Sequence, residues 1–344
     1  MTYMKRSGLF RIIPICLSAL VILISFSGCD IAKNENKTGA LIAILLMRAA
    51  IGTSELVFDY NGTGNYEIYK MTTSGTNVRQ LTNNSAYDNW WPRISPDRTK
   101  ILFYRAPKGS NADYTKAELC VIFADGSGYT VLRPLGKDGW TWQGHAEWSP
   151  RGDEMVMAAG ISGVLQIVIT NRWGNVKQQV TNTPANTMNI DPSWSPDGNT
   201  IVFNHSDTIF YDGLEICTIP ASTAMGTTSD MTPLTTNAIP DYDPYYSPDG
   251  LTIAWLQHVN TTSNPPLGRW EIMKMNANGT AQTAVTSDEG INSKPAWSLG
   301  GTLIYFHKFV ISDSRWEIYR ISPAGTGMAR IDTFASGMCE YPMN

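Results

Sequence analysis

Trp194-Ser195-Pro196-Asp197-Gly198 is the clearest copy of a turn motif that recurs along this chain of 344 residues. Pro fixes φ at the first corner of a tight turn, Asp accepts hydrogen bonds from the backbone that follows it, and Gly tolerates a positive φ. The serines of successive copies lie about fifty residues apart, a period typical of repeated supersecondary units. The five copies are Ile94–Asp97, Trp148–Gly152, Trp194–Gly198, Tyr246–Gly250 and Trp297–Gly301.

An apolar triplet follows each turn motif at positions +6 to +8 relative to the serine, as in Ile201-Val202-Phe203. Successive strand residues face opposite sides, so this pattern predicts a strand with both faces covered. A third strand then begins with Glu, or once with Gln, and a Gly-containing turn leads to a more polar fourth strand, as in Gly75–Leu81. The six third-strand segments are Glu67–Tyr69, Glu118–Cys120, Gln166–Val168, Glu215–Cys217, Glu271–Met273 and Glu317–Tyr319.

Four short antiparallel strands, repeated about six times, are typical of a β-propeller. The sequence therefore predicts an all-β protein, a six-bladed β-propeller of four-stranded antiparallel blades. Glu340–Asn344 matches the residues that precede the other turn motifs, and Gly52–Phe58 matches a second strand. We expect these N- and C-terminal strands to close the ring. Alternatively, Ala40–Met47 supplies the inner strand of that blade and the last residues form a tail.

The first 28 residues have the pattern of an export signal. A basic start precedes the mostly apolar Ile12–Phe26, which is too short for an ordinary membrane-spanning helix. Ser27-Gly28-Cys29 resembles the bacterial lipobox, in which the Cys is lipidated; a plain signal peptide is the alternative. We expect a lipoprotein signal peptide at 1–28, a lipid anchor at Cys29 with a polar tether at 29–51, and one propeller domain at 52–344.

Charge and cysteine content limit the partners and the location. The formal net charge is −4, and removal of residues 1–28 would take away three basic residues and no acidic ones. Such an acidic chain lacks the basic face that nucleic acid requires. Cys120 and Cys217 are expected to be buried and too far apart for a disulfide. We expect an exported, periplasmic or cell-surface monomer that contacts a bacterial membrane only through its lipid anchor.

The repeats resemble the propeller repeats of the TolB family, which are WD-like in type. Their consensus is Pro, any residue and Trp-Ser-Pro-Asp-Gly before an Ile-Ala-Phe-like strand, and Asp191–Phe203 and Asp243–Trp255 follow it closely. The resemblance covers residues 52–344 and implies a scaffold for protein–protein interaction in the cell envelope. TolB also has an α/β domain ahead of its propeller, whereas here we expect a lipoprotein form without it. That difference puts a role in the Tol–Pal system in doubt.

Two columns of mostly polar residues lie at the start of the inner strands, six and four residues before the motif serine. Because they are two residues apart, we expect them to share a face at the mouth of a central channel and to bind an envelope protein or a glycan. Alternatively, they only satisfy backbone groups and line a water-filled channel. The candidates are Asn89, Gln143, Asn189, Asp241 and Asn292 at −6, and Trp91, His145, Asp191, Asp243 and Lys294 at −4.

We expect no catalytic residues and no required cofactor, since the sequence contains no P-loop, dinucleotide fingerprint, HExxH or nucleophile elbow. One alternative is a divalent metal bound by His145, Asp191 and Asp243. It is suggested by a resemblance to oligogalacturonate lyases, which have related repeats and a metal in the channel, and it would make the protein a channel-site enzyme. A carbohydrate-binding lipoprotein is another alternative.

The tryptophans divide into two groups. Those at serine −1, Trp148, Trp194 and Trp297, are expected to pack between blades, as is Tyr246 at the same position. Others precede the inner strands or lie near their start, outside that column, and are expected to be exposed and available to a ligand. This second group contains Trp90, Trp91, Trp140 and Trp142.

Overall fold

The computed structural model describes residues 55–209, 213–237, 239–259, 269–288, 290–332 and 339–343. The predicted signal peptide, Cys29, the tether and Ala40–Met47 lie outside these ranges. The described residues belong to one unit, Ile51–Asn344, and are mostly strand, so the predicted all-β class is confirmed. Helical structure is limited to short segments such as Lys137–Gly139, and no helix in the described ranges is long and apolar enough to cross a membrane.

Twenty-four strands lie in the described ranges. The first eleven are β1 (Glu55–Tyr60), β2 (Glu67–Thr72), β3 (Arg79–Gln80), β4 (Tyr87–Ile94), β5 (Lys100–Pro107), β6 (Glu118–Phe123), β7 (Thr130–Arg133), β8 (Gln143–Trp148), β9 (Glu154–Ile161), β10 (Val164–Asn171) and β11 (Val176–Gln179). The others are β12 (Met188–Trp194), β13 (Thr200–Ser206), β14 (Glu215–Pro220), β15 (Thr232–Pro233), β16 (Asp241–Tyr246), β17 (Thr252–His258), β18 (Trp270–Asn276), β19 (Thr283–Ala284), β20 (Ile291–Trp297), β21 (Ile304–Val310), β22 (Arg315–Ile321), β23 (Ala329–Arg330) and β24 (Cys339–Met343).

These strands form four sheets. Two sheets are four-stranded, one with β4 to β7 and one with the order β24, β1, β2, β3. The other two contain β8 to β15 and β16 to β23, and each consists of two antiparallel sets of four strands joined by one parallel pair, Leu165 with Met188 or Trp270 with Ile291. The antiparallel pairing of β24 with β1 brings strands from the two ends of the unit together.

The turn motif closes each inner hairpin through its side chains. In the third copy, Asp197 Oδ1 accepts hydrogen bonds from Ser195 Oγ at 2.6 Å and from the N–H of Asn199 at 3.0 Å. Ser195 Oγ in turn accepts from the N–H of Thr200 at 2.9 Å. These bonds to Ser195 and Asn199 lower the pKa of Asp197. Gly198 has a φ of 75°, which glycine adopts without a steric penalty.

The apolar triplets are buried, as predicted. Two of the three tryptophans at serine −1, Trp148 and Trp297, hydrogen-bond to the preceding inner strand, whereas Trp194 Nε1 has no such partner among the described residues. Trp148 Nε1 donates to the carbonyl of Arg93 at 3.1 Å, and Trp297 Nε1 donates to the carbonyl of Tyr245 at 3.0 Å. Each bond joins one inner strand to the preceding one. These two tryptophans therefore position the inner strands that they join. Among the described residues, Cys120 and Cys217 are both buried and neither forms a disulfide.

The expectation that the second tryptophan group is exposed is wrong. Trp90, Trp91 and Trp140 are buried, and Trp142 is half-buried. The reason is an aromatic cluster between β4–β7 and β8–β11, centred on Tyr114. The ring centroid of Tyr114 lies 6.0 Å from that of Trp90, 6.2 Å from that of Trp91 and 4.9 Å from that of Trp142. The indoles therefore fill the space between two sheets.

Candidate functional site

Five inner strands, β4, β8, β12, β16 and β20, each have a residue with positive φ at serine −4, inside a β-bulge. In β4, for example, Trp90 pairs with Tyr104 but Arg93 pairs with Leu102, so two residues oppose one. The φ values lie between 50° and 59°, and such backbone geometry costs a non-glycine residue roughly 1–3 kcal/mol. The five residues are Trp91, His145, Asp191, Asp243 and Lys294; we call them the central cluster.

The bulge separates the two columns of candidate residues. The residues at serine −6 are buried and hydrogen-bond to the preceding set of strands instead of joining the central cluster. Asn89 Nδ2 donates to Glu67 Oε2 at 2.8 Å, and Gln143 Nε2 donates to the Ala117 carbonyl at 2.8 Å. We call this column the link residues: Asn89, Gln143, Asn189, Asp241 and Asn292. The expectation that both columns form one polar face does not hold, because the bulge interrupts the two-residue alternation.

The central cluster forms a closed circuit of side-chain contacts. The rings of Trp91 and His145 stack with centroids 4.7 Å apart, and His145 Nδ1 lies 2.7 Å from Asp191 Oδ1. The carboxyl groups of Asp191 and Asp243 interact. Lys294 Nζ lies 3.0 Å from Asp243 Oδ2 and 4.1 Å from the ring centroid of Trp91. Five inner strands, from β4 to β20, are therefore joined side chain to side chain.

A second layer lies two residues further along the inner strands. Arg93 is buried, pairs with Glu147, and donates from Nη2 to Tyr245 Oη at 2.6 Å. Tyr245 Oη donates to Glu147 Oε1 at 3.2 Å, and the Arg93 guanidinium lies over the Trp91 ring at 4.4 Å. The sequence did not predict this layer, although the residues at serine −2 have the same repeat spacing as those at −6 and −4.

Burial and pairing set the charges in these two layers. Burial raises the pKa of Asp191, but His145 and Lys294 outweigh it and the net pKa is lowered. Burial raises the pKa of Asp243, and Lys294 opposes this without cancelling it. Burial likewise raises the pKa of Glu147, against the opposing charge of Arg93. The layers are therefore ion pairs held in a desolvated environment, in which removing one partner is costly.

The residues do not fit the metal hypothesis. His145, Asp191 and Asp243 do come together, as the sequence suggested, but Lys294 Nζ lies 3.0 Å from both carboxylate oxygens of Asp243. An ammonium group there supplies the positive charge that a metal would bring and repels a second cation. Within the described ranges, no group of three or more His, Cys, Asp or Glu side chains could hold a metal ion.

One link residue differs chemically from the rest. Asn89 donates an amide hydrogen to Glu67, and Asn292 donates one to Glu271, in each case on the preceding set of strands. Asp241 instead places a second carboxyl group beside that of Glu215. Burial raises the pKa of Asp241. Burial and the Asp241 charge raise the pKa of Glu215 to about 7, against an opposing hydrogen bond from Thr235. A cavity of about 390 Å³ adjoins Glu215.

Comparison with known proteins gives the fold a name. No family model matches the chain. Over 169 residues, the chain is 26% identical in sequence to a protein named TolB homolog from Chlorobium chlorochromatii. This match covers 48% of this chain and 34% of that protein. The chain thus spans about one third of the length of the relative that it matches.

Solved structures decide the architecture. TolB from Acinetobacter baumannii aligns with a TM-score of 0.64 at 16% identity, over 91% of this chain and 73% of that chain. The fold is that of the TolB propellers. A putative TolB from Agrobacterium tumefaciens aligns with a TM-score of 0.58, also at 16% identity, over 83% of this chain and 91% of that chain. The predicted β-propeller and its TolB-like character are confirmed, and identity this low supports the fold alone.

Proposed function

We propose that this protein is a lipid-anchored binding scaffold of the bacterial cell envelope, a six-bladed propeller that presents one mouth of its ring to a partner protein. The six sets of four strands would be its blades, closed by the pairing of β24 with β1. The TolB-like fold supports a protein-binding role, because propellers present rigid loop surfaces around a ring.

The observation that carries this proposal is the circuit of the central cluster. Lys294 of β20 contacts Trp91 of β4, and Arg93 of β4 reaches Tyr245 of β16. Contacts between strands so distant in sequence suit a rigid ring whose centre is filled by its own side chains. A rigid scaffold loses little conformational entropy when it binds, which favours association through the rim and mouth.

The same contacts favour a binding role over a channel-site enzyme. A general acid or base must be free to exchange a proton with substrate, whereas Asp243 is paired with Lys294 and Glu147 with Arg93. Carbohydrate binding stays an alternative function, without a contact in the described residues that favours it. We propose further that the protein is a monomer and that it binds no nucleic acid, in keeping with its formal net charge of −4.

Capture from native envelope extract tests the binding role. The bait is the full chain with a C-terminal tag, and the control bait carries residues 1–51 on an unrelated domain, so that anchor-dependent background is matched. We expect at least one envelope protein to be enriched by the full chain alone and to form a complex with it after both are purified. Equal recovery by the two baits would overturn the proposal.

Lipid anchoring is tested separately at Cys29. Metabolic labelling with an alkyne fatty acid should mark the wild-type chain and leave Cys29→Ser unlabelled. The variant should also move from the membrane fraction to the soluble fraction, because a diacyl anchor supplies most of the membrane affinity. A labelled Cys29→Ser chain would show that Cys29 is not the attachment site.

A further inference from the structure

One turn motif has an arginine where the other four have glycine. The position is serine +3, and Arg98 occupies it in the first copy. All five turns have the same backbone hydrogen bond, in which the N–H of residue +3 donates to the serine carbonyl, at 2.8 Å for Arg98 and 2.9 Å for Gly198. Arg98 has a φ of 60°, a conformation that glycine adopts freely and arginine does not. A side chain is therefore held at a strained position where the other copies have none.

The glycines at serine +3 show where a side chain at this position points. A Cβ on Gly152 would lie 3.5 Å from Cδ of Pro96, and a Cβ on Gly250 would lie 3.6 Å from Cδ of Pro196. Each proline belongs to the turn motif of the preceding copy. A side chain at serine +3 is thus directed at the inner hairpin of the preceding set of strands, which for Arg98 is the set of β24, β1, β2 and β3.

The inner pair of that set, β24 and β1, is not closed by a tight turn, because the two strands are not consecutive in the chain. In each of the five copies that have the motif, the serine N–H donates to the carbonyl of residue +5, as from Ser195 to Thr200 at 2.8 Å. Leu56-Val57-Phe58 corresponds to the triplet at +6 to +8, so Glu55 corresponds to residue +5. The Glu55 carbonyl is therefore the counterpart of the carbonyl that a motif serine binds.

The Arg98 side chain reaches this same carbonyl. Arg98 Nη2 donates to the Glu55 carbonyl at 2.6 Å, and the Glu55 carboxylate attracts the guanidinium group. Arginine suits this contact, because its long side chain ends in a planar group with several N–H donors. An N–H is thus delivered from the neighbouring set of strands to the carbonyl position that a serine of the same hairpin serves in every motif copy.

We propose that Arg98 is a latch that holds β1 in place at the junction of the two ends of the unit. A turn keeps the two strands of a hairpin close together, whereas β24 and β1 lack this restraint and must pay the entropy of a much longer loop when they pair. Arg98 ties β1 to the set of β4 to β7, whose own inner hairpin is closed by the first turn motif. The latch therefore controls how easily β1 opens locally.

Hydrogen exchange of the purified full chain, measured by mass spectrometry, tests the latch. Peptides that cover β1 report on the latched strand, and peptides that cover β13, its counterpart in the third copy, are the internal reference. Arg98→Gly restores the residue of the other copies, and Arg98→Met keeps a long side chain without its donors. Glu55→Gln is the matched control, because it removes the carboxylate and keeps the carbonyl.

We expect exchange in β1 to be at least tenfold faster in Arg98→Gly and in Arg98→Met, less than threefold faster in Glu55→Gln, and unchanged in β13. Glycine relieves the backbone strain at this position, so strain alone predicts slower exchange in Arg98→Gly. Unchanged or slower exchange of β1 in either Arg98 variant would overturn the proposal. Equal acceleration in β1 and β13 would also overturn it, since Arg98 would then stabilise the whole fold. A tenfold effect of Glu55→Gln would assign the contact to the carboxylate and refute the role of the carbonyl.

Discussion

Replacing Asp241 by Asn should reduce a pH dependence that is built into one link between strand sets. Trp255 Nε1 and Gln257 Nε2 donate to Asp241 Oδ1 at 2.7 Å and 3.1 Å. An Asn at this position can still accept through its oxygen while donating its amide to Glu215. Asn189 shows this arrangement one set of strands earlier, where Nδ2 donates towards Gln166 Oε1 at 3.3 Å.

The magnitude follows from Glu215. Its pKa rises from 4.5 to about 7, which converts to about 3 kcal/mol at about 1.4 kcal/mol per pKa unit. Because Glu215 is only half-buried, solvent screening reduces this to about 1–2 kcal/mol. Burial, the largest cause of the Glu215 shift, remains in the variant, so part of the effect has to come from removing the Asp241 carboxyl itself. A raised carboxyl pKa contributes stability that is complete below pH 4.5 and is lost as the pH rises through about 7. The pKa of Asp241 is also raised, so its titration has the same sign.

We therefore expect Asp241→Asn and wild type to have similar stability near pH 4.5, and the variant to be more stable by about 1–2 kcal/mol at pH 8. Urea denaturation at pH 4.5, 6, 7 and 8 measures the difference. His205 and Asp207 line the adjoining cavity and are present in both proteins, so only the difference between the two curves is informative. Asn89→Asp, beside Glu67, is the reverse control and should introduce the same dependence. If Asp241→Asn leaves the slope between pH 5 and 8 unchanged, the reasoning is refuted.

Three further substitutions test the packing and the turns. Arg93→Ala should destabilise the fold by about 3–5 kcal/mol in urea denaturation, because it leaves Glu147 buried without its partner. A smaller loss of stability in the double variant Arg93→Met, Glu147→Gln would show that the unpaired charge is the cause. Asp197→Ala should cost about 1 kcal/mol at pH 7, a cost that disappears as the pH falls through the lowered pKa of the wild-type carboxyl; a constant cost down to pH 2 would exclude the charged hydrogen bonds as its source. Gly144→Leu should cost about 1–3 kcal/mol by overpacking, because a Cβ at this position would lie 2.7 Å from the Tyr114 ring. Tyr114→Ala should partly relieve this cost in a double-mutant cycle, and strict additivity would contradict direct contact between the two side chains.

Strand positions could be read from the sequence because the register of each repeat is tied to one turn. Pro196, Asp197 and Gly198 fix that turn through local geometry, and the apolar residues at +6 to +8 then have to form the covered strand. The tryptophans at serine −1 were also placed correctly, since a large residue repeated at one register position has to fill the same space in every copy.

The bulges could not be predicted in this way. A positive φ is usually indicated by Gly or Asn, but here it occurs at Trp91, His145 and Lys294. Tertiary contacts within the central cluster hold these residues in that conformation, and nothing in their own side chains favours it. Strict two-residue alternation therefore places the link residues on the face of the central cluster, whereas the bulge turns them towards the preceding set of strands. The burial of Trp90 was missed because Tyr114, which covers it, comes from outside the repeated register.

The circuit of the central cluster also restricts how this protein can evolve. Repeat proteins often change length by duplicating or deleting a unit, because each unit contacts only its neighbours. Here the order Trp91, His145, Asp191, Asp243 and Lys294 matches each side chain to the next, and the last contacts the first. An added unit would separate one of these pairs, and deletion of the unit that carries His145 or Lys294 would leave a carboxylate without its partner. The five copies are therefore alike in their turns and strands, but each has a fixed place in the sequence of units.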